Sequence, residues 1–351
     1  MTAGDGAGVG KVYHYVDGKF DFHQRVYKFS NFNGILGKYL FHYISNKFYS
    51  VAILGTAKST VDSLRLPLIQ DFWISFPFDI SEQTAIAKFL DDKVARIEAL
   101  VGIKRRQIEL LAERKQILIQ NAVTQGLNPD APMKESGVDW IGEIPEHWEV
   151  TKLRYLGTFQ NGISAGAEYF GSGFPFVTYG DVYNNSVLPS KPSGLAKSST
   201  TDRINYSIQE GDVLFTRTSE VATDIGISST CLQAIENASF SGFVIRMRPA
   251  TNFLRSEYSS CLFRCIYIST FFAHEMNIVI RASLGQELLK NLPIFLPSLN
   301  EQEEIVSYCA LESKKINTAI TLKQNQITKL NEYKTTLINA AVTGKIKVAG
   351  E

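Results

Sequence analysis

The chain carries a long ungapped internal repeat. Residues 81–126 and 300–345 align at a constant separation, with identities at Glu82/Glu301, Gln83/Gln302, Ile86/Ile305, Ile97/Ile316, Ile108/Ile327, Leu111/Leu330 and Leu118/Leu337. The Ala-Val-Thr run at 122–124 returns at 341–343. Neither copy contains proline, and Gly102 is the only interior glycine of the first. Each therefore reads as one long helix. Ser81 and Asn300 are the expected N-caps, each followed by acidic residues in the first turn.

Apolar positions in both copies recur at alternating steps of four and three, the signature of a coiled-coil seam. In the first copy the seam is Leu90, Val94, Ile97, Val101, Lys104, Ile108, Leu111, Lys115, Leu118 and Ala122. In the second it is Cys309, Ser313, Ile316, Ile320, Lys323, Ile327, Leu330, Lys334, Leu337 and Ala341. Lysine occupies the same two seam positions twice. Two readings stand side by side: a polar seam residue fixes register at a cost in stability, or the lysines lie at the seam edge with their amines in water. Phe89, Ile119, Tyr308 and Ile338 lie beside the seam and either widen the core stripe or face a partner. Two such helices separated by a globular region pair most simply antiparallel. At about 1.5 Å per residue each is roughly 66 Å long, a rigid spacer between the domains at its ends.

The residues before each helix also repeat in kind. Phe72–Pro77 and Leu292–Pro297 are apolar, strand-like and end in proline, with Ser59–Asp62 and Ser283–Gln286 upstream. The second globular region starts after a Pro/Gly-rich connector. It holds strand-like runs at Phe174–Tyr179, Asp212–Thr216 and Phe243–Met247, and a helical stretch at Tyr258–His274. The first region is shorter. Gly8–Lys11 matches the surroundings of Gly226, and Phe22–Phe29 matches Phe240–Met247, so the first region begins about halfway through the unit. The expected organisation is a partial domain at 1–78, a helix at 79–127, a linker at 128–148, a complete domain at 149–298, a helix at 299–345 and a tail at 346–351. The expected class is α+β, with globular domains alternating with two long helices that form an antiparallel coiled coil.

Several chemistries are excluded by their missing residues. The stretch Gly4–Lys11 imitates a phosphate loop, but Asp5 and Val12 stand where Gly and Ser/Thr are needed, and Val9 breaks the dinucleotide pattern. Cys231, Cys261, Cys265 and Cys309 form no paired metal motif and read as free thiols of a reducing compartment. Asn128-Pro-Asp-Ala lacks the aromatic residue of an adenine-methyltransferase motif. Five scattered histidines suggest no metal site. No secretory signal is visible, and the apolar stretch Cys261–Ala273 is short and broken by Arg264, so a cytoplasmic location with no membrane contact is expected. With 36 basic and 35 acidic residues the formal charge is +1. A chain that gripped DNA alone would be more basic, so any DNA contact relies on local basic surface or on partners.

At this point a family resemblance is visible. Residues 136–148, SGVDWIGEIPEHW, resemble the approach to a recognition domain in specificity subunits of type I restriction-modification systems. So do Gly173–Asp181, Glu210–Thr216, the Leu-Pro…Pro…Glu-Gln junction at 292–302 and the Ala-Val-Thr helix endings. The resemblance covers nearly the whole chain and departs from the family in the shortened first domain. It implies a non-catalytic subunit that reads a two-part site in double-stranded DNA. Modification (methyltransferase) subunits would bind the helices and use S-adenosylmethionine, and restriction subunits would use ATP and Mg. Neither cofactor would reside in this chain. Self-association, or a separate half-domain, would rebuild the shortened surface. Two other classes are a truncated, non-productive scaffold or inhibitor that binds modification subunits without directing methylation, and a stand-alone methyltransferase or nuclease, whose motifs are missing.

Base reading calls on Arg or Lys for guanine, Asn or Gln for adenine, and Ser or Thr more loosely. The loop Thr216, Arg217, Thr218, Ser219 follows a strand run and is the first candidate. Lys191, Lys197 and Arg203 lie in a long polar segment, and His23, Gln24, Arg25 and Lys58 are the candidates of the first region. No metal ligand and no catalytic residue is expected.

Overall fold

The computed structural model describes the chain apart from residues 7, 56–62, 139–140, 220–224, 251, 276–281 and 349–351, and apart from the side chains of 53–55, 219 and 282. Two compact units divide the chain, one formed by residues 1–109 and 319–351, the other by 110–318. Each holds a globular region and a stretch of both long helices.

The first unit opens with strands β1 (Thr2–Ala3) and β2 (Val26–Tyr27), paired antiparallel. Helix α1 (Gly37–Gly55) follows, then the short α2 (Leu66–Gln70), and then α3 (Ile80–Gln125), the first repeat helix. The α1 side chains Tyr39 and Tyr43 pack on Ile86 and Leu90 of α3 and on Ile338, Ala341 and Val342 of the last helix. On the other side of α1, Leu40, Ile44, Phe48 and Ala52 close a second small core with Val9 and Leu64.

The second unit is richer in strand. Its first elements are β3 (Met133–Glu135), β4 (Glu143–Pro145), β5 (Glu149–Lys152) and β6 (Gly157–Asn161). Then come β7 (Phe170–Val177), α4 (Tyr179–Asn184), β8 (Gly194–Ala196) and α5 (Thr200–Asn205). They are followed by β9 (Val213–Thr216), β10 (Thr218–Ser219), β11 (Ser228–Thr230), β12 (Ser239–Phe240) and β13 (Val244–Pro249). The unit ends with α6 (Ser256–Leu262), α7 (Ile266–Glu275), β14 (Ala282–Ser283), α8 (Gln286–Lys290), β15 (Pro293–Leu296) and the start of α9 (Leu299–Val342). The main sheet has the order β11-β9-β13-β6, and a three-stranded sheet runs β12-β7-β8. The two-stranded β15-β5 ribbon shares a core with the main sheet. The largest core gathers Phe215, Ile245, Tyr258, Tyr267, Phe272 and Phe295, and seats Ala122 and Val123 of α3 on it.

The helices pair antiparallel in each unit. In the first, Lys334 Nζ lies 3.5 Å from Glu98 Oε1, and Lys104 meets Lys323 further along. In the second, Lys115 Nζ donates to Asn317 Oδ1 at 3.2 Å. The two bonds are repeat-equivalent, since 115 corresponds to 334 and 317 to 98. No seam position of either helix is fully exposed, which places the whole four-three pattern on the inner face. The lysines lie half-buried at the seam, and burial together with the Lys323 charge holds the Lys104 ammonium below its ordinary range. Phe89, Ile119, Tyr308 and Ile338 all pack on the cores, so they widen the stripe.

The repeat extends into the globular regions. Ala3↔Val26 and Thr2↔Tyr27 pair as Thr216↔Val244 and Phe215↔Ile245 do. Gly4 N donates to Arg25 O as Arg217 N does to Phe243 O, and Leu64 N to Gly4 O as Leu284 N does to Arg217 O. Gly10 and Gly226 both sit at left-handed φ, +67° and +71°, where a Cβ would strike Ala52 and Phe272 respectively. By this register Met1 corresponds to Leu214. Among the described residues, the first unit holds no counterpart of β5 to β8.

Three local expectations are corrected. The caps are Asp79 and Ser298, two residues earlier than Ser81 and Asn300. Asp79 Oδ1 accepts from Ser81 N at 2.8 Å, and Ser298 Oγ accepts from Glu301 N at 3.3 Å. Tyr258–His274 is two helices, because the chain turns at 263–265 so that Arg264 can reach the carbonyls of Val182, Tyr183, Asn185 and Ser228. Phe72–Pro77 is not a strand. Its counterpart β15 is a strand because β5 pairs with it, and among the described residues the first unit has no such partner.

Candidate nucleic-acid interface

The second unit positions its polar loops with a small set of buried anchors. Asp212 is fully buried just before β9. It takes two hydrogen bonds of 2.7 Å from Arg248 and one of 2.8 Å from Gln209 N. Arg246, in the middle of β13, is buried against the Phe240 ring with its guanidinium on Ser207 O and Gln160. Burial lowers its pKa, and the Asp212 charge opposes that shift. Arg264 is held in the same way by main-chain carbonyls, and burial lowers its pKa too. These arginines are committed to the fold.

Against this frame the expected contacts separate. Thr216 is corrected to a core residue. It is 0% exposed in the middle of the sheet, and its backbone bonds to Ile227 and Gly226. The register of β9 against β13 turns its side chain inward. Arg217 comes next in the chain, between β9 and β10, and is half-exposed, with no ion-pair partner among the described residues. Thr218 is half-exposed, and Thr218 and Ser219 form β10 against β14. The exposed Phe243 ring belongs to the residue whose carbonyl accepts from Arg217 N.

Lys191 and Lys197 are exposed, with no salt-bridge partner among the described residues. Lys197 follows directly on β8. Arg203 is different: it bonds Ser198 O and Thr200 Oγ1 and lies 3.7 Å over the Phe174 ring. It braces α5 beneath a capping box in which Ser199 and Asp202 satisfy one another. Hydrogen bonds from Ser199 hold the Asp202 carboxyl below its ordinary range, and burial pushes the Tyr169 hydroxyl, bonded to Asp202 at 3.2 Å, up to about 12.

The first unit places its candidates at the equivalent strand ends. His23, Gln24 and Arg25 are exposed in the turn before β2, and Arg25 pairs with Asp5 at 3.2 Å. Asp5 occupies the position of Thr218. Lys58 lies outside the described residues.

The sequence reading missed an aromatic edge. Phe170 and Phe174 are exposed at the two ends of a Gly-Ser-Gly bridge in β7. Gly171 and Gly173 both take positive φ there, and a Cβ on Gly173 would press on Ala196 O. The spacing Phe-Gly-Ser-Gly-Phe was its signal. The second unit thus offers free cations for phosphate, a half-exposed arginine with the donor fork that guanine accepts, and planar apolar rings beside them. Among the described residues no group of His, Cys, Asp or Glu is placed to hold a metal, and no helix is long and apolar enough to cross a membrane.

A duplicated α+β unit on an antiparallel helix pair, with polar loops at equivalent strand ends, is the architecture of type I DNA-specificity proteins. The chain belongs to that family, since the Type I restriction modification DNA specificity domain matches residues 1–110 and 145–332. It is 25% identical over 321 residues to the MjaVIII type I restriction enzyme specificity subunit of Methanocaldococcus jannaschii, covering 88% of this chain and 70% of that protein. It is 23% identical over 317 residues to the EcoBI specificity subunit of Escherichia coli, covering 86% and 66%. A solved structure concerned with complex assembly and conformational transition of the type I system matches at a TM-score of 0.67 and 15% identity, over 87% of this chain and 70% of that one. That likeness establishes a shared fold. The chain spans 65% to 70% of the length of the curated relatives it matches.

Proposed function

We propose that the chain is a non-catalytic DNA-specificity subunit that reads a bipartite DNA target and positions modification and restriction subunits on it. The observation that carries this reading is the duplication, which repeats the same strand ends, Arg217–Thr218 in one unit and Gly4–Asp5 beside Arg25 in the other. Two equivalent readers suit two half-sites with an unread spacer between them. S-adenosylmethionine, and ATP with Mg, would be bound by the partner subunits.

The test is co-expression with a modification subunit, followed by mapping of adenine methylation on a random-sequence plasmid library. A split motif with a fixed gap is expected. A symmetric motif would mean that paired copies read through the second unit alone. A stable complex that leaves DNA unmethylated would overturn the proposal.

A further inference from the structure

Three cysteines meet where the globular region of the second unit lies on its helices. Cys261 stands near the end of α6, Cys265 in the turn that follows, and Cys309 early in α9. The Cys309 thiol donates to Cys261 Sγ, and Cys265 Sγ donates to Cys261 O at 3.1 Å. Cys265 and Cys309 are buried in the largest core, whereas Cys261 is half-buried at its margin. Cys261 opens on a crevice of about 760 Å³ whose walls include Lys115, Glu257, Arg264 and Ser313. A small oxidant can therefore reach Cys261 from the crevice, with Cys309 in contact behind it.

The thiols differ in chemistry. The Cys309 S–H aimed at Cys261 holds the Cys261 thiol below its ordinary range, and the same bond holds Cys309 protonated. Burial raises Cys265, and it raises Cys231 to about 12. Cys261 thus combines access, thiolate character and a thiol neighbour, which is the combination that oxidation selects. Packing does not demand sulfur at position 309. Its repeat counterpart, Leu90, is fully buried in the core of the first unit, so an aliphatic side chain serves the same seam position.

We infer that Cys261 and Cys309 form an oxidisable dithiol, which a hydroperoxide converts to a disulfide tying α6 to α9. The Cys261 thiolate attacks the peroxide O–O bond, an S–O bond forms, and the distal oxygen leaves as hydroxide or alkoxide. The Cys309 sulfur then attacks the Cys261 sulfenic acid. The S–S bond forms, the S–O bond breaks, and the thiol proton leaves with that oxygen as water. The two thiols give up two electrons and two protons, and the peroxide takes them. A thiol reductant reverses the bridge by exchange. Little movement is needed, because Gln302 Oε1 already accepts from Arg255 N at 2.9 Å across the same helix junction. The inference stands on the packing of the thiols and not on DNA reading, so the methylation map does not decide it.

The test uses the full chain, reduced, freed of reductant, treated with hydrogen peroxide, alkylated and digested with trypsin under non-reducing conditions. Cleavage after Arg255, Arg264 and Lys290 puts Cys261, Cys265 and Cys309 on three separate peptides. The expected product joins peptide 256–264 to peptide 291–314, is two hydrogens lighter than their sum, and disappears on reduction. In Cys309→Ser the link should be lost and Cys261 should be trapped as a sulfenic acid by dimedone. The oxidised chain should exchange its 256–262 amides more slowly than the reduced chain. Recovery of Cys261 and Cys309 unlinked from peroxide-treated wild-type chain would overturn the inference, and so would a link through Cys265. A link confined to covalent dimers, or one that speeds exchange in 256–262, would overturn it as well.

Discussion

Gln302→Ala measures how the globular region of the second unit is fastened to its helix. Gln302 is 0% exposed in the first turn of α9. Its Oε1 accepts from Arg255 N at 2.9 Å, and its Nε2 donates to Phe253 O at 2.7 Å and Pro297 O at 3.1 Å. One side chain thus ties the entry to α6, the end of β15 and the start of α9. Three hydrogen bonds at about 1 kcal/mol each give a loss of about 3 kcal/mol, and stranding the Arg255 N–H in a buried place adds about 1–3 kcal/mol. Gln302→Glu should be at least as costly, because it sets a carboxylate oxygen against two carbonyls. The assay is urea denaturation of the full chain, with hydrogen exchange of the 253–262 amides to localise the effect. Gln83 repeats the clamp with Leu36 N, Gly34 O and Pro77 O, so Gln83→Ala should loosen 34–45 and leave 253–262 unchanged. A cost below about 1 kcal/mol for Gln302→Ala, or a Glu variant more stable than the Ala variant, would refute the reasoning.

Further outcomes follow from the same geometry. Asp212→Ala leaves Arg248, 24% exposed, without its carboxylate, and should cost about 3 kcal/mol in denaturation. Replacing both residues by apolar ones of similar size should recover much of that. His42 is buried on α1, with Nε2 donating to Asp91 at 2.9 Å; burial lowers its pKa, and the Lys38 and His42 hydrogen bonds hold Asp91 low. Depressed folded-state values mean that the unfolded chain binds protons first, so stability should fall as pH drops below about 6.5, and His42→Gln should remove that first loss. Lys104→Glu turns the Lys104–Lys323 meeting into an attractive pair, so the melting temperature should rise at low salt and the gain should shrink in concentrated salt. In a methylating complex, Lys197→Ala should weaken DNA binding evenly across sequences and lower the salt slope by about one, whereas Arg217→Ala should relax one base position at a cost of about 1–3 kcal/mol.

The helices were legible because a seam is a long periodic signal. Every residue assigned to it is partly or fully buried, and the identities at Gln83 and Gln302 turn out to be the two clamps. Their caps were misplaced by two residues, since Asp-Ile-Ser and Ser-Leu-Asn each offer two capping residues and only the backbone geometry selects Asp79 and Ser298. The strand-like Phe72–Pro77 failed for a reason outside its own residues. Its composition suits a strand, but a strand exists only with a neighbour, and among the described residues β5 has no counterpart beside it.

The proposed DNA-facing surface was least legible for a related reason. Arg203, Arg246, Arg248 and Arg264 are as suitable for phosphate as Arg217 or Lys197 when read as letters. The fold binds the first four to carbonyls, Asp212 and aromatic rings, and leaves the last two without ion pairs among the described residues. Thr216 and Arg217 are adjacent, yet the pleat turns one into the core and leaves the other half-exposed. A near-neutral chain can thus present a cationic edge without a basic composition. What the edge offers depends on which charges the interior has already engaged, and that is settled by long-range pairing such as Asp212 with Arg248.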